Sequence, residues 1–274
     1  LFDPDIDVSR WRLDLHGLIG RPLSLSIDDL KALPAVEQQA TLACVGNAVP
    51  ANAIGNARWR GVRLRDVLAA AGGVDRSARD VVFVSADNYT DSIPLRVALD
   101  ADTLLAYEMN GAPLPARHGA PLRAIVPGIY GMKNAKWLEV IQVVEGDYRG
   151  YWQQRGWSDE AEYQTLSRFD LPRDGDALGV GEPCRIGGIA FAGRRGIARV
   201  EVGVSAPDGA WQWHETTLAA QEGVSSWRRW EWTWRPAAAG RYRLVVCATD
   251  GTATVQPETP RRAFPAGSQG WHRI

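Results

Sequence analysis

Lysine is scarce in this chain of 274 residues. Only three of its 31 basic residues, Lys31, Lys133 and Lys136, are lysines, and the others are arginines. Acidic residues number 32, so the formal net charge is −1. A protein that follows the phosphates of a nucleic acid normally carries a clear basic excess. The balance of charge therefore argues against a nucleic-acid partner, and any anion-binding site must be local.

Cysteine is equally scarce. The three cysteines are Cys44, Cys184 and Cys247, and no two of them have the spacing of a CxxC motif. This pattern excludes a disulfide-rich scaffold, a thioredoxin-like redox motif and a zinc ribbon. Each cysteine must therefore be interpreted by itself.

Long apolar segments are missing as well. No run of eighteen apolar residues and no charged-then-apolar leader occurs, so the sequence predicts neither a membrane-spanning helix nor a signal peptide. The sequence begins with Leu1 rather than methionine. We therefore expect that residue 1 is not the start of translation.

The first part of the chain mixes helical and strand patterns. Ser26 is a predicted N-cap for a helix that ends at Pro34, and Val62–Ala71 has apolar residues at helical spacing. Apolar runs at Asp80–Ser85, Leu122–Val126 and Leu138–Val144 are typical of buried strands. The mixture predicts an α+β domain over residues 1–172.

The pattern changes near residue 173, where only strand-like runs follow. Such runs with turn residues between them, over about 100 residues, are typical of an all-β immunoglobulin-like sandwich, which we predict for residues 173–274. The predicted strands are Ile186–Phe191, Ile197–Val204, Ala210–Thr217, Trp227–Arg235 and Arg241–Ala248.

Cys44 lies where an apolar run, Thr41–Val45, gives way to a loop rich in Gly, Asn and Pro. A lone free cysteine is most often a small buried apolar residue. The alternative is a thiolate that acts as a nucleophile or a metal ligand, although no adjacent residue supplies the positive charge that stabilises a thiolate. A metal held by one protein sulfur, with further ligands from a cofactor, fits this composition.

The second candidate is a basic, glycine-bounded region from Arg117 to Trp137 that contains two of the three lysines. It is either a solvated basic loop or an anion-binding loop in which glycines let the backbone approach a ligand. The apolar stretch Leu122–Tyr130 within it favours the second interpretation, because buried cations need an anionic partner and no acidic run lies nearby. A phosphate-bearing cofactor would supply that partner.

Several motifs in order resemble the sulfite oxidase family of molybdenum enzymes, and the resemblance covers nearly the whole chain. It implies a molybdopterin-binding domain with the sulfite oxidase fold, followed by the family's immunoglobulin-like domain. The matching segments are Leu42–Asn47, Ala57–Leu64, Ser92–Leu95, Leu105–Pro115, His118–Arg123, Gly131–Trp137, Tyr151–Trp157, Gln164–Arg168 and Gly270–Ile274.

The resemblance implies roles for particular residues. Cys44 matches the cysteine whose thiolate binds molybdenum beside the dithiolene of one molybdopterin. His118 and Arg123 match residues that hold the pterin and its phosphate. Lys136 matches a phosphate-binding lysine, and Lys133 and Asn134 are expected to contact the cofactor beside it.

Further positions belong to the expected pocket. Asp87 matches an acidic residue that hydrogen-bonds the pterin. Tyr89 is either a catalytic pocket residue or a half-buried tyrosine at the end of a strand. Trp157 stands where sulfite oxidases carry a tyrosine near the metal, and we expect it to line the catalytic pocket.

The departures from the family bear on the substrate. Sulfite oxidases carry a substrate-binding arginine five positions after the metal cysteine, where this chain has Val49. Sulfite is a dianion near neutral pH, so we expect sulfite itself to be a poor substrate. Arg194 or Arg195 lies where the second domain of the family offers an arginine to the site, and a solvated turn is the alternative.

The pattern is most similar to haem-less bacterial members, including a branch in which the molybdenum domain follows membrane helices. We therefore expect a location outside the cytoplasm, on the outer face of a bacterial membrane, with an anchor in a missing N-terminal region. The expected partners are a small oxo-transfer substrate and a redox partner such as a cytochrome, a quinone or a membrane subunit. A homodimer through the second domain is expected too. Cys184 and Cys247 either pair in that oxidising setting or, as we favour, stay free thiols.

Tryptophan is abundant in the second domain. Trp230, Trp232 and Trp234 alternate, so on a strand they share one face, which we expect to be core. If the rings were exposed, they would instead form a stacking platform for a carbohydrate or protein. The alternative function is accordingly a cofactor-free binding module. The remaining tryptophans of this group are Trp211, Trp213 and Trp227.

Overall fold

Residues 3–205, 209–223 and 225–274 are described by the structure, which is a computed structural model. The contacts within the chain divide it into two compact units. The first comprises Leu1–Leu42 and Ala57–Ala161, and the second comprises Ala43–Asn56 and Glu162–Ile274. The boundary between domains at residues 172 and 173 stays a prediction.

The first unit combines two sheets with three short helices in the described residues. The helices are α1 (Ile27–Ala32), α2 (Leu64–Ala70) and α3 (Leu95–Ala98). The strands are β1 (Leu13–Gly17), β2 (Leu23–Leu25), β3 (Ala35–Ala43), β4 (Ile54–Arg63), β5 (Asp80–Ser85), β6 (Thr90–Pro94), β7 (Leu104–Met109), β8 (Ala112–Pro113), β9 (Arg123–Ile125) and β10 (Leu138–Val144).

Local sequence explains where the helices begin. The hydroxyl of Ser26 accepts a hydrogen bond from the Asp29 N–H, and the Asp29 carboxylate accepts one from the Ser26 N–H, which is a complete capping box. Leu30 anchors α1 in the core. In α2 the buried residues Leu64 and Leu68 are one turn apart, as the apolar spacing predicts. Both predicted helices are thus confirmed, with slightly shorter bounds.

One sheet of the first unit has the strand order β2-β1-β10-β5-β6. β1 runs parallel to β10, whereas the other pairs are antiparallel. The predicted strands at Asp80–Ser85 and Leu138–Val144 are confirmed residue for residue as β5 and β10. Apolar residues of β1, β5 and β10 and of the helices form the main core beside this sheet.

The other sheet has the order β3-β4-β7-β8, with β9 paired to β7. A smaller core packs on it, and within that core the Nε1–H of Trp59 donates to the carbonyl oxygen of Ala40 over 3.1 Å. The predicted strand at Leu122–Val126 is confirmed as the shorter β9. This strand carries Arg123 into the interior of the unit, where its residue is only 6% exposed.

As far as its residues are described, the second unit contains two four-stranded sheets, with the orders β11-β12-β16-β15 and β14-β13-β17-β18. Apolar residues of both sheets share one core, which is compatible with a β-sandwich. The strands are β11 (Leu166–Leu171), β12 (Cys184–Phe191), β13 (Ile197–Ser205), β14 (Trp211–Glu215), β15 (Thr217–Leu218), β16 (Arg228–Trp234), β17 (Arg243–Asp250) and β18 (His272–Arg273).

The prediction of a single strand over Ala210–Thr217 is wrong. The segment forms β14 and β15, which belong to different sheets. Between them lies Thr216, which is 8% exposed and whose hydroxyl and N–H both donate to the carbonyl oxygen of Val200. These bonds hold the chain where it leaves one sheet for the other.

The tryptophans divide into two groups. Trp230 is 2% exposed, and Trp232 and Trp234 pack against the same core, so the alternating face is the core face as expected. Trp211 and Trp213 on β14 remain 43% and 45% exposed. Most of the cluster is therefore structural.

Cys184 lies on β12 and Cys247 on β17 in the other sheet, and both thiols are free. The favoured expectation of separate thiols is confirmed. Among the residues that the structure describes, none of the helices has the length and apolar character needed to cross a membrane.

Candidate active site

Cys44 follows the end of β3 and belongs to the second unit. Between residues 43 and 50 the odd-numbered side chains are buried and the even-numbered ones are exposed. Cys44 is therefore exposed, whereas Val49 is only 9% exposed. The interpretation of Cys44 as a small buried apolar residue is wrong, and its thiol is accessible for chemistry.

The segment from Cys44 to Ala53, here the Cys44 loop, is closed by hydrogen bonds of its own. The Cys44 N–H donates to the carbonyl oxygen of Ala53 over 2.9 Å, and the Ala53 N–H donates to Oδ1 of Asn47 over 2.8 Å. The Asn47 N–H in turn donates to the carbonyl oxygen of Cys44 over 3.0 Å. No residue from 44 to 57 carries a charge. The thiol thus stands on a closed and electrically neutral loop.

The basic residues of the first unit meet around a left-handed glycine. A short 3₁₀ helix, Ala116–His118, ends at Gly119, whose φ is 105°. A Cβ atom on Gly119 would lie 2.8 Å from Cβ of Lys136, so only glycine lets these two segments approach so closely. This close packing brings the segments of His118 and Lys136 together, and we call the place where they meet the basic cradle.

Arg123 supports this cradle from inside the unit. Its guanidinium donates to the carbonyl oxygens of His118, over 2.9 Å, and Asn134, over 3.2 Å. It also faces the ring of Trp59, with 5.0 Å from Cζ to the ring centroid. These contacts fix the positive charge of Arg123 next to the 3₁₀ helix that carries His118.

The charges of the cluster act on one another. Burial lowers the pKa of His118, and the positive charges of Arg123 and Lys136 lower it further. The pKa of Lys136 is lowered by burial and by Arg123, while the negative charges of Asp3 and Asp87 raise it. Like charges that depress each other's pKa form a site that favours an anion. The three predicted residues His118, Arg123 and Lys136 are thus brought together.

Lys136 also lies flat on an aromatic ring. Its Nζ is 3.7 Å from the ring centroid of Trp137 and donates to the carbonyl oxygen of Arg117 over 3.0 Å. A cation on an aromatic face keeps its charge while part of its hydration is removed. The ammonium group is therefore oriented before any anion arrives.

Asn134 is 2% exposed, and its side chain is used by the backbone around it. Its Oδ1 accepts the Val126 N–H over 2.6 Å, and its Nδ2 donates to the carbonyl oxygen of Tyr130 over 3.2 Å. Asn134 thereby joins the residue that follows β9 to the residue that precedes the 3₁₀ helix Gly131–Lys133. Its direct contact with a cofactor stays a prediction.

Asp87 and Tyr89 lie on the turn between β5 and β6. Oδ1 of Asp87 accepts the Tyr89 N–H over 3.1 Å, which shapes the turn. The Tyr89 hydroxyl lies 2.9 Å from Oδ2 of Asp91 and 2.7 Å from the carbonyl oxygen of Met132. Burial and the Asp91 charge raise the pKa of Tyr89, so the hydroxyl keeps its proton. A catalytic role of Tyr89 stays a prediction.

Lys133 has acidic partners that the neighbouring sequence does not contain. Lys133 is 1% exposed, and its Nζ lies 2.6 Å from Oδ1 of Asp159, 3.1 Å from Oδ1 of Asp91 and 2.9 Å from the carbonyl oxygen of Ser92. An ammonium group has three protons to donate, and these oxygens accept them. Burial raises the pKa of the Asp91 carboxyl, while the Lys133 charge opposes that rise. Its contact with a cofactor stays a prediction, and the structure adds a structural role.

Trp157 follows another short 3₁₀ helix, Gln153–Arg155, that ends at the left-handed Gly156. Its ring is edge-on to the ring of Trp152, with 6.3 Å between the ring centroids. The backbone N–H of Trp157 donates to the carbonyl oxygen of Trp152. Trp157 is half-buried, so part of its ring is available to a ligand of the first unit. Its role in the pocket stays a prediction.

Arg195 differs from Arg194 in its surroundings. Nε of Arg195 donates to Oδ2 of Asp250 over 2.8 Å, and Asp250 is fully buried. Arg194 is exposed in the same 3₁₀ turn. Arg195 is therefore held by the second unit itself.

Comparison with known proteins decides the family. A family model described as the oxidoreductase molybdopterin-binding domain matches residues 2–152. The chain belongs to the molybdopterin-binding oxidoreductase family. Membership makes it an oxidoreductase and implies a molybdenum cofactor.

The similar proteins include several sulfite oxidases. The mitochondrial sulfite oxidase of Mus musculus is 35% identical, over 99% of this chain and 58% of that protein. The sulfite oxidase of Arabidopsis thaliana is 31% identical, over 99% of this chain and 84% of that protein. The chain thus spans little more than half the length of the mammalian relatives.

The fold is similar to that of a solved structure too. The crystal structure of the sulfane dehydrogenase SoxCD from Paracoccus pantotrophus matches with a TM-score of 0.82 and 22% identity, over 93% of this chain and 71% of that one. The fold of the molybdopterin-binding oxidoreductase is therefore sulfite oxidase-like. The alternative of a cofactor-free binding module is not favoured.

The residues present fit the implied group. A molybdopterin carries a phosphate, and the first unit has a cradle, closed by Gly119, with three basic side chains around it. A thiolate is the kind of soft ligand that suits molybdenum, and the exposed thiol of Cys44 is the group that would form it on binding the metal.

Proposed function

We propose that this molybdopterin-binding oxidoreductase performs two-electron oxygen-atom transfer on a small substrate of the sulfur-oxide or nitrogen-oxide type. The observation that carries the proposal is the clustering of three basic side chains around Gly119: Arg123 donates to the His118 carbonyl oxygen, and the Lys136 side chain packs closely against Gly119. Positive charge held in place in this way favours a phosphate-bearing ligand. A bound molybdenum cofactor would supply the redox-active metal, whose two-electron chemistry amino-acid side chains do not provide.

The proposed role of each residue follows from its contacts. Cys44 would hold the metal through its thiolate, because its side chain is exposed on a loop closed by backbone hydrogen bonds. Lys136, Arg123 and His118 would hold the phosphate and pterin, with Asp87 as the hydrogen-bond acceptor for pterin N–H groups. Lys133 and Asn134 would keep the backbone of this region in place through their buried bonds.

The substrate proposal rests on the neutral Cys44 loop. Val49 occupies the position where the sequence resemblance leads us to expect a cation, and it is buried and apolar. A dianion such as sulfite needs compensating positive charge near the metal ligand. The names of the relatives support sulfur chemistry, whereas Val49 favours a substrate with less charge, such as an S-oxide or an N-oxide. Trp157 and Tyr89 would shape the pocket around it.

The remaining proposals concern the setting of the protein. We place it outside the cytoplasm, at the outer face of a bacterial membrane, with electrons passing to or from a cytochrome, a quinone or a membrane subunit. A homodimer would form through the second domain, for which we propose the immunoglobulin-like topology. The exposed rings of Trp211 and Trp213 on β14 offer apolar area for such a contact.

The first test is the content of molybdenum and pterin in protein purified from a host that makes the cofactor. We expect about one molybdenum per chain, since one thiolate serves one metal. The Cys44→Ser variant should fold and lose the metal. Cys184→Ser, which changes another free thiol of the second unit, is the matched control and should keep it.

The second test is a substrate comparison with an artificial electron carrier. We expect turnover with a sulfoxide or an amine N-oxide and little turnover with sulfite. Protein free of molybdenum and pterin would contradict the proposed function, and so would full metal content in Cys44→Ser. Efficient sulfite oxidation would contradict the substrate proposal alone.

A further inference from the structure

The backbone next to Cys44 is bound by a residue that is distant in sequence. The Ala43 N–H donates to the hydroxyl oxygen of Tyr163 over 3.2 Å, across 120 positions of the chain. Tyr163 is 1% exposed, and its ring packs edge-on against Phe191 at a centroid distance of 4.7 Å. Both residues belong to the second unit, as does Cys44. The Tyr163 hydroxyl therefore binds the backbone of the residue immediately before Cys44.

Tyr163 is itself held by a second layer of bonds. Nη2 of Arg195 donates to the carbonyl oxygen of Tyr163 over 2.9 Å and to Oγ1 of Thr165 over 3.1 Å. Nε of the same guanidinium donates to Oδ2 of Asp250 over 2.8 Å. Asp250 is fully buried, and Thr165 also donates to its Oδ2. Because one arginine fork joins a fixed carboxylate to the Tyr163 backbone, the tyrosine has little freedom to shift.

The rest of the Cys44 loop is fixed by other residues. Nη1 of Arg168 donates to the carbonyl oxygen of Ala51 over 2.7 Å. The hydroxyl of Ser268 donates to the carbonyl oxygen of Asn47. These bonds hold the far part of the loop. The bond to Tyr163 acts at Ala43, the residue adjoining Cys44, where β3 ends.

We propose that Tyr163, braced by Arg195, is a positioning residue that sets the direction of the Cys44 thiol through the Ala43 backbone. The proposal rests on the proposed role of Cys44 as metal ligand. Groups behind a metal ligand commonly fix its orientation and thereby tune the metal. Here the group acts on the backbone beside the ligand, since the thiol itself must stay accessible.

The Tyr163→Phe variant tests this inference because it removes only the hydroxyl and keeps the ring against Phe191. Tyr242→Phe is the matched control, since it deletes a hydroxyl of the same unit that donates to the Ala238 carbonyl oxygen. In cofactor-free protein, we expect amide exchange at Ala43 and Cys44 to become about fivefold faster in Tyr163→Phe, the effect of losing one ordinary hydrogen bond. The rate at which iodoacetamide alkylates Cys44 should change with it.

The enzyme with its cofactor bound allows a spectroscopic measurement that a general loosening of the fold would leave unchanged. We expect Tyr163→Phe to keep the wild-type molybdenum content but to show altered g values in the electron paramagnetic resonance of the one-electron-reduced metal. Turnover should fall about tenfold with an unchanged KM, which is the usual size of effects from groups behind a ligand. Arg195→Lys, which keeps a cation for Asp250 but loses the fork, should change the spectrum in the same direction.

The outcomes separate the two proposals. Unchanged exchange and unchanged alkylation of Cys44 in cofactor-free Tyr163→Phe would overturn the positioning role, whether or not the protein binds molybdenum. An unchanged spectrum in loaded Tyr163→Phe would overturn it as well. Absence of molybdenum from the wild-type protein would instead overturn the proposed function.

Discussion

Lys133 and Asp91 form an ion pair whose side chains are 2% and 0% exposed, with 3.1 Å between Nζ and Oδ1. Asp159 shares the same ammonium group over 2.6 Å and connects it to Arg149 nearer the surface. Charges so deeply buried are tolerated because each has a partner of opposite sign and hydrogen bonds to the backbone. The pair joins β6 to the short 3₁₀ helix Gly131–Lys133 that precedes Lys136.

Removing one member of this pair should be costly. We expect Lys133→Met to lower the free energy of unfolding by about 3–5 kcal/mol, because it leaves Asp91 buried without its cation. Urea unfolding at neutral pH measures the loss. Arg185→Met, which breaks the exposed pair with Glu231, is the control and should cost no more than about 1 kcal/mol. Equal losses in the two variants would contradict a special role of the buried pair.

Gly119→Ala should damage the basic cradle. Its φ of 105° strains any side chain, and the added Cβ would lie 2.8 Å from Cβ of Lys136. Gly73→Ala is the matched control, because Gly73 has a φ of 83° but no atom within 4 Å of the added Cβ. We expect Gly73→Ala to cost about 1–2 kcal/mol from the backbone alone and to keep its cofactor. Gly119→Ala should cost more and lose molybdenum, as thermal unfolding and metal analysis would measure.

Neutralising Lys136 should raise the pKa of His118. The Lys136 charge is one of the causes that lower this pKa, so Lys136→Gln removes a repulsion that disfavours the imidazolium. The pKa is measured by following the His118 ring protons in a nuclear magnetic resonance titration. Lys31→Gln, which alters another lysine of the same unit, should leave the titration unchanged. A pKa that stays constant or falls in Lys136→Gln would disprove the proposed coupling.

His272 should make stability depend on pH. Its Nδ1 accepts the Phe169 N–H over 3.0 Å, and burial followed by the Arg168 charge lowers its pKa from 6.5. The unfolded chain then binds more protons than the folded one, so stability falls as the pH decreases through about 6.5 toward the lowered pKa. His272→Asn keeps an acceptor that does not protonate, and we expect a flatter profile of unfolding free energy against pH. A profile as steep in His272→Asn as in the wild-type protein would contradict this prediction.

The sequence predicts local structure well where local rules decide it. The helix after Ser26 and the strands Asp80–Ser85 and Leu138–Val144 follow from capping and apolar patterns, and the structure confirms them. The division of Ala210–Thr217 between two sheets was not predictable, because Thr216 is placed by the distant carbonyl of Val200.

The candidate site shows the same limit. The proximity of Arg123 and Lys136 is suggested by their motif, since only a short glycine-containing segment separates them. The acidic partners of Lys133 come from 42 positions before it and 26 after it, and no pattern in the sequence connects them. Tyr163 likewise gives no signal, because its hydrogen bond to Ala43 exists only after the second unit has formed.

The bond between Ser268 and Asn47 has a consequence for the order of events during synthesis. These residues are 221 positions apart, so Ser268 leaves the ribosome long after the Cys44 loop, which cannot acquire this contact earlier. Contacts so distant in sequence form late and slowly. The Cys44 loop of the nascent protein therefore lacks this anchor until the residues between Asn47 and Ser268 have been made.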